Sequence, residues 1–238
     1  MVINAKRTKK NFSLQAKERP FMAVILYFRG KMSLSMQMVR VLTIIVLLLS
    51  AGKGLAQDEN FFQDTILCNG KPILATFHKF NKKLKLASLG RGSYGKAGID
   101  TLASGRIELP DSVTDSDGTR YKLRSIGRQG FANCRYITEI TLPEGLTDIG
   151  DQAFYNCTSL REIVLPTSLF VIYPFAFRGC SSLRIIRLKA TERVRIYDNI
   201  FDLQTLDNAI LFIPAGTEKK YRNSLVFGMF RYYAESFE

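Results

Sequence analysis

The 238-residue chain has no tryptophan, one histidine and four cysteines. A single histidine excludes every site built on two imidazoles, and no Cys-x-x-Cys pair supplies the usual zinc spacing. Neither G-x-S-x-G nor H-E-x-x-H occurs, so the hydrolase elbow and the metalloprotease helix are both missing. No apolar run reaches the ~20 residues that a spanning helix needs. Strong charge of one sign is also missing from most of the chain. The net charge is +13, but residues 1–56 hold ten Lys/Arg and one acid, so the rest sets 24 cations against 20 acids, a net +4. No aromatic-basic motif accompanies them, and nucleic acid is not an expected partner. No enzyme activity, metal or cofactor is expected. His78, in the alternating run "ATFHKFNKK", reads as a surface strand residue.

What is present begins with a leader. "VLTIIVLLL" (41–49) follows Arg40 and precedes the small residues of "SAGKGLA" (50–56). Basic flank, short apolar run and small-residue exit read as a secretory signal cut near Ala56-Gln57. The alternative is an uncleaved anchor. No cysteine follows the run, which argues against a lipoprotein. Residues 1–31 carry eight basic residues and a second apolar run, "FMAVILYF" (21–28). Translation from Met32, Met36 or Met38 explains this stretch; a long basic leader is the rival. The mature chain (57–238) is expected to be exported, whether secreted, cell-surface or periplasmic, with no stable transmembrane segment.

Shifted by 23 residues, the chain matches itself. The copies are "LRSIGRQGFANCRYITEITLPEG" (123–145), "LTDIGDQAFYNCTSLREIVLPTS" (146–168) and "LFVIYPFAFRGCSSLRIIRLKAT" (169–191). Apolar columns run through all three: Ile126, Ile149, Ile172; Phe131, Phe154, Phe177; Ile140, Ile163, Ile186; Leu142, Leu165, Leu188. A fixed period of this length signals a solenoid, whose short units bury their apolar faces only against neighbours. In Leu160-x-x-Ile163-x-Leu165, alternation predicts a strand with Ile163 and Leu165 inward. Pro143 and Pro166 end the strands. "IGDQAFYNC" is expected to cross the other side through one short helical turn, with Gly127 and Gly150 permitting the corner before it.

The pattern Ile-Gly-x-x-Ala-Phe-x-Asn-Cys-x-x-Leu-x-x-Ile-x-Leu-Pro resembles the BspA-like leucine-rich repeat of bacterial secreted and cell-surface proteins. The resemblance covers 123–191 closely. "LASLGRGSYGKAGIDTLASGRIELPDSV" (86–113) is similar to the family's N-terminal β segment, and "ILFIPAGTEKKYRNS" (210–224) to its closing unit. Departures are local: Tyr173 replaces the corner glycine and Lys189 the proline. The resemblance implies a mainly β, α/β-related right-handed leucine-rich repeat solenoid with a parallel sheet on its concave face. Its parts would be a leader (1–56), an N-terminal β cap and hairpin (57–122), three repeats (123–191), and an atypical closing repeat with a strand-helix cap (192–238). The resemblance also implies a non-catalytic protein-binding or adhesion module whose ligand is host extracellular matrix or another cell surface. The alternative is a structural or envelope-assembly protein of the periplasm without a host ligand.

Cys134, Cys157 and Cys180 form one column, which reads as packing, since thiols suit tight apolar interiors. A serine there would place a hydroxyl among apolar groups, at more cost than alanine. The rival is a disulfide. Units about 4.8 Å apart lie within its Cα range, but three cysteines in a row cannot all pair. Cys68 is a further partner or stays single. "LGRGSYGKAG" (89–98) imitates a phosphate-binding loop, yet Ala97 stands where Ser/Thr should hold Mg²⁺, and Gly98 opposes the helix that must follow. A turn in the capping strands is the reading adopted. Asp117-Gly118 reads as a hairpin turn, and Asp111, Asp115 and Asp117 lack the glutamate that ends a calcium loop. Asn156-Cys157-Thr158 matches a glycosylation sequon, which the repeat's own asparagine turn already explains.

Alternation also places Glu139 and Thr141, Glu162 and Val164, Ile185 and Arg187 with Lys189 just beyond, and Ile210 and Phe212 on the outward, concave face. It runs from acidic to apolar and basic. Val164, Ile185 and Phe212 are expected to share one apolar patch for a protein partner. Two readings stand for the aromatic "VFGMFRYY" (226–233): it folds back over this patch, or it leaves it open.

Overall fold

A computed structural model of the chain describes residues 59–90 and 97–236. The leader, its alternative starts and its cleavage point, together with 91–96 of the glycine-rich stretch, lie outside the described residues. The strands are β1 (Phe61–Cys68), β2 (Lys71–Asn81), β3 (Leu86–Leu89), β4 (Ser104–Glu108), β5 (Ser112–Thr114), β6 (Arg120–Ile126) and β7 (Tyr136–Thr141). They continue with β8 (Asp148–Ile149), β9 (Glu162–Leu165), β10 (Val171–Ile172), β11 (Ile185–Leu188), β12 (Arg195–Ile196), β13 (Ile210–Pro214) and β14 (Tyr232–Ser236). Two short helices, α1 (Leu203–Asn208) and α2 (Glu218–Arg222), flank β13. Among the described residues no helix is long and apolar enough to cross a membrane.

Among the described residues all strands belong to one sheet, ordered β12-β10-β8-β6-β3-β2-β1-β4-β7-β9-β11-β13-β14, with β5 paired to β6. It contains two parallel ladders. The long one is β4-β7-β9-β11-β13-β14. The short one is β6-β8-β10-β12, with two registered pairs at each step. The antiparallel run β3-β2-β1 joins them, since β3 pairs parallel with β6 and β1 antiparallel with β4. The fold is thus mostly β and mostly parallel, which fits stacked repeat units. Register ties unit to unit: Ile140 opposes Ile163, which opposes Ile186, which opposes Leu211.

The core fills the space between the ladders. Ile140, Ile163, Ile186 and Leu211 are all buried, as are the columns of Ile126, Ile149 and Ile172 and of Leu142, Leu165 and Leu188. Phenylalanines stack along it. Phe131 lies 5.2 Å from Phe154, Phe154 5.1 Å from Phe177 and Phe177 5.3 Å from Phe201, all near parallel. Phe230 closes the row edge-on against Phe201 at 5.2 Å and 78°. Phe201 extends the column into the unit after 191, where one inserted residue obscures the pattern.

The crossing over 127–134 and 150–157 is a chain of tight turns, not the expected helical turn. Gly130 N–H bonds to Gly127 O, Ala132 to Gln129 and Cys134 to Phe131. Alternate N–H groups bond to the next unit instead: Gln152 to Pro174 O, Phe154 to Ala176 O and Asn156 to Arg178 O. Gln129, Gln152 and Phe175 occupy one left-handed position per unit, and Asn133, Asn156 and Gly179 a second. Gly127 and Gly150 therefore do not make the corner by positive φ. They are glycine because the units approach closely: a Cβ on Gly150 would sit 2.8 Å from the Gly127 carbonyl carbon, and one on Gly127 2.9 Å from Leu89 O.

At the N-terminal end, Asp115–Thr119 turns β5 into β6, with Gly118 at φ 78°. Asp115 accepts N–H bonds from Asp117 and Thr119 and pairs with Lys79 at 2.6 Å, the two side chains only 2% and 12% exposed. The ammonium lies 5.4 Å from the Phe62 and Tyr121 ring centres. Its hydrogen bond to Asp115 raises the Lys79 pKa and lowers that of the carboxyl.

Candidate protein-binding face

On the long ladder, residues between the inward ones form two columns on the opposite face. One runs Arg106, Glu139, Glu162, Ile185, Ile210, Tyr232; the other Glu108, Thr141, Val164, Arg187, Phe212, Ala234. The pleat causes this, since core contact claims every second side chain. Glu139 and Thr141 are exposed, while Glu162, Val164, Ile185, Arg187 and Phe212 are half-buried.

The charges at the β4 end are ion-paired, one cation being shared by two acids. Arg106 pairs with Glu108 at 3.1 Å and with Glu139 at 3.6 Å. Arg187 Nε meets Glu162 at 2.6 Å while its guanidinium lies 4.4 Å from the Phe212 ring centre. Lys189, whose N–H bonds to Leu165 O, pairs with Glu144 at 3.6 Å. This changes the apolar patch. Arg187 stands between Val164 and Phe212 in the second column, so Val164 is cut off from it. The contiguous apolar group is Ile185, Ile210 and Tyr232, adjacent across three strands, with Phe212 beside Ile210. Ile210 is 38% exposed and Tyr232 48%.

The C-terminal aromatics do not fold over this face. β14 continues the ladder beyond β13, adding Tyr232 to the patch, and Phe227 and Phe230 turn into the core. Alternation alone missed Tyr232, because β14 follows a helix and a 3-10 turn at Phe227–Met229 rather than a repeat unit.

Cys134, Cys157 and Cys180 are buried and free, and Cys68 is half-buried and free. The Cys157 thiol donates to Phe131 O and that of Cys180 to Phe154 O, each at 3.1 Å. Contact with the Cys180 thiol, then burial, pushes Cys157 well above the ordinary thiol range, and burial pushes Cys134 up. His78 is half-buried with its ring 4.8 Å from Phe61. Among the described residues no group of three His, Cys, Asp or Glu is placed to hold a metal ion. Gly90 and Gly98 pack together: a Cβ on Gly98 would lie 2.9 Å from the Gly90 backbone, and their N–H groups bond to Thr76 O and Gly130 O. Those donors are not free to cradle a phosphate. Asn156 holds a left-handed turn and donates to Asn133 Oδ1.

Units tied by two parallel ladders around a stacked aromatic column define a repeat protein. The family model of the BspA type leucine rich repeat region matches residues 118–219, in six copies, extending past 123–191 on both sides. This stretch is thus made of BspA-type leucine-rich repeats. No curated protein matches the chain. Among crystal structures, a leucine-rich repeat protein from Bacteroides capillosus is 28% identical over 54% of this chain and 90% of that one, with a TM-score of 0.44. One from Bacteroides ovatus is 25% identical, covering 64% of this chain and 35% of that one, TM-score 0.44. A leucine rich cell surface protein from Faecalibacterium prausnitzii is 19% identical, covering 63% and 45%, TM-score 0.39.

Proposed function

We propose that this chain is an exported, non-catalytic binding module that docks a protein through the outer, concave face of its long ladder, as a short solenoid. The observation that carries the reading is the contiguous group Ile185, Ile210 and Tyr232, left half-open to solvent between an ion-paired charged region and the end of the sheet. Exposed apolar groups beside polar ones are the usual anatomy of a contact patch. The partner class is an extracellular matrix protein or a protein of another cell surface. Export rests on the leader, and mass spectrometry of the exported chain is expected to find Gln57 first; a chain retaining 40–56 would make it anchored.

Ile210→Asp tests the face. Ile185→Asp is a poorer probe, because register sets that position beside Glu162 and adds like-charge repulsion. Ile210→Asp should cost under about 1 kcal/mol of stability, as surface changes usually do. It should weaken retention on immobilised matrix proteins by about 1–2 kcal/mol or more. Leu211→Asp, one residue inward, should unfold the last units. Equal retention of parent and Ile210→Asp would remove the face from the function.

A further inference from the structure

β6 carries a cation at every second position. Arg120 and Lys122 alternate with buried Tyr121 and Leu123, so the pleat turns both to one side; Arg124 falls at the register shift against β3, where Leu123 pairs with Ala87 and Ser125 with Ser88. With Lys85 from the β2–β3 turn they line a cleft of about 600 Å³. Two of them are held in place: Arg120 Nε donates to Ser112 Oγ and Arg124 Nη1 to the Gly145 carbonyl. Both bonds are to neutral groups, so neither positive charge is cancelled. The Lys85 and Lys122 side chains are exposed and enter no ion pair among the described residues. Of the two acids in the cleft, Glu144 is engaged by Lys189 and by the Thr167 hydroxyl and N–H, leaving only Asp111 uncommitted. The cleft is therefore cationic although the chain beyond the leader is close to balanced.

We propose that this cleft binds an extended peptide segment bearing carboxylates at alternate residues. Same-side residues of a strand lie about 6.6 Å apart. That spacing is shared by any second extended peptide, so alternate carboxylates face Arg120 and Lys122 one to one, and a third meets Arg124, which lines the same cleft beyond the register shift. Leu84, 63% exposed at the rim, offers an apolar wall to a side chain between them. Among the described residues no aromatic ring lines the cleft, which offers none of the stacking platform of a single-stranded nucleic acid site. β6 belongs to the short-strand side of the sheet order, and the site is separate from the Ile210 patch.

Fluorescence anisotropy of two labelled hexapeptides of equal composition tests this, one with glutamate and serine alternating, the other with three glutamates then three serines. At low salt the alternating peptide should bind about tenfold tighter, the size of one or two solvent-exposed charge pairs. Lys85→Glu with Lys122→Glu should abolish that binding at an unchanged melting temperature. If the reversal disturbs folding, Lys85→Gln with Lys122→Gln carries the test and should weaken binding about tenfold. Three results overturn the proposal. One is no anisotropy change at low salt. Another is equal binding of both peptides, which reduces the cleft to a diffuse field. The third is displacement of the peptide by a lower concentration of a sulfated oligosaccharide, which makes it a glycan site.

Discussion

The thiol of Cys157 donates to a carbonyl of the preceding unit, and this changes what a substitution there should do. Sequence reasoning made serine the worse replacement, because a hydroxyl would be stranded among apolar side chains. The Phe131 carbonyl at 3.1 Å offers that hydroxyl an acceptor, and the same carbonyl takes the Cys134 N–H at 3.1 Å whether or not the thiol is there. Cys157→Ser keeps a donor with a shorter reach; Cys157→Ala loses the donor and leaves a small void. Both should cost about 1–2 kcal/mol, within about 1 kcal/mol of each other in urea unfolding. A serine variant several-fold more damaging than alanine would mean that the hydroxyl cannot reach Phe131. Reactivity gives a second reading of the same column. The Cys134 and Cys157 pKa values are raised above the ordinary range, so both stay neutral thiols at mildly alkaline pH, and all three repeat cysteines are buried. A thiol reagent should therefore titrate Cys68 alone in the folded protein, and all four after unfolding. Fast reaction of a second thiol would show that the core opens locally.

At the scale of the element, the long ladder was legible and the rest of each unit was not. Ile163 and Leu165 alternate with half-exposed neighbours because one face of β9 meets the core, and that produces a period the eye can find. β8, β10 and β12 have two residues each, too few for any period, and their strand character comes from the backbones of adjoining units. The crossing misled for a different reason. Ala153, Phe154 and Cys157 have the spacing of a helical turn, but Gln152, Phe154 and Asn156 give their N–H groups to the next unit, and an α-helix could not spare them. Gln152 and Asn156 in left-handed positions also end any helix. Glycine at 127 and 150 does open the turn, but not by a conformation that only glycine adopts; what requires it there is contact with another unit, which no single-unit reading contains.

Across the whole molecule, the outward positions of the candidate face followed from alternation, but their neighbours did not. Which side chain stands beside which depends on register, so the insertion of Arg187 between Val164 and Phe212 and the arrival of Tyr232 needed the three-dimensional fold. The cationic cleft was hidden likewise, since Lys85 and β6 meet only after the chain has folded. Long-range order also decides how the protein should fail. Each unit buries its core only against neighbours, so the last one needs an end-stop, and Phe230 supplies it by standing edge-on against Phe201. Phe230 is 3% exposed and Phe227, 5.6 Å from the buried Tyr221, is 1% exposed. Phe230→Ala removes a large buried ring, a change that costs about 3–5 kcal/mol where the site cannot collapse. In a chain held by nearest-neighbour contacts that loss should stay local. Amide hydrogen exchange should quicken in β13 and β14, at Leu211, Ile213 and Tyr233, while β1 and β2 around Ile66 and Ala75 keep their protection. Exchange that quickens evenly from β1 to β14 would mean that the continuous sheet, running through β1, β2 and β3 from one ladder to the other, couples both ends into one cooperative unit.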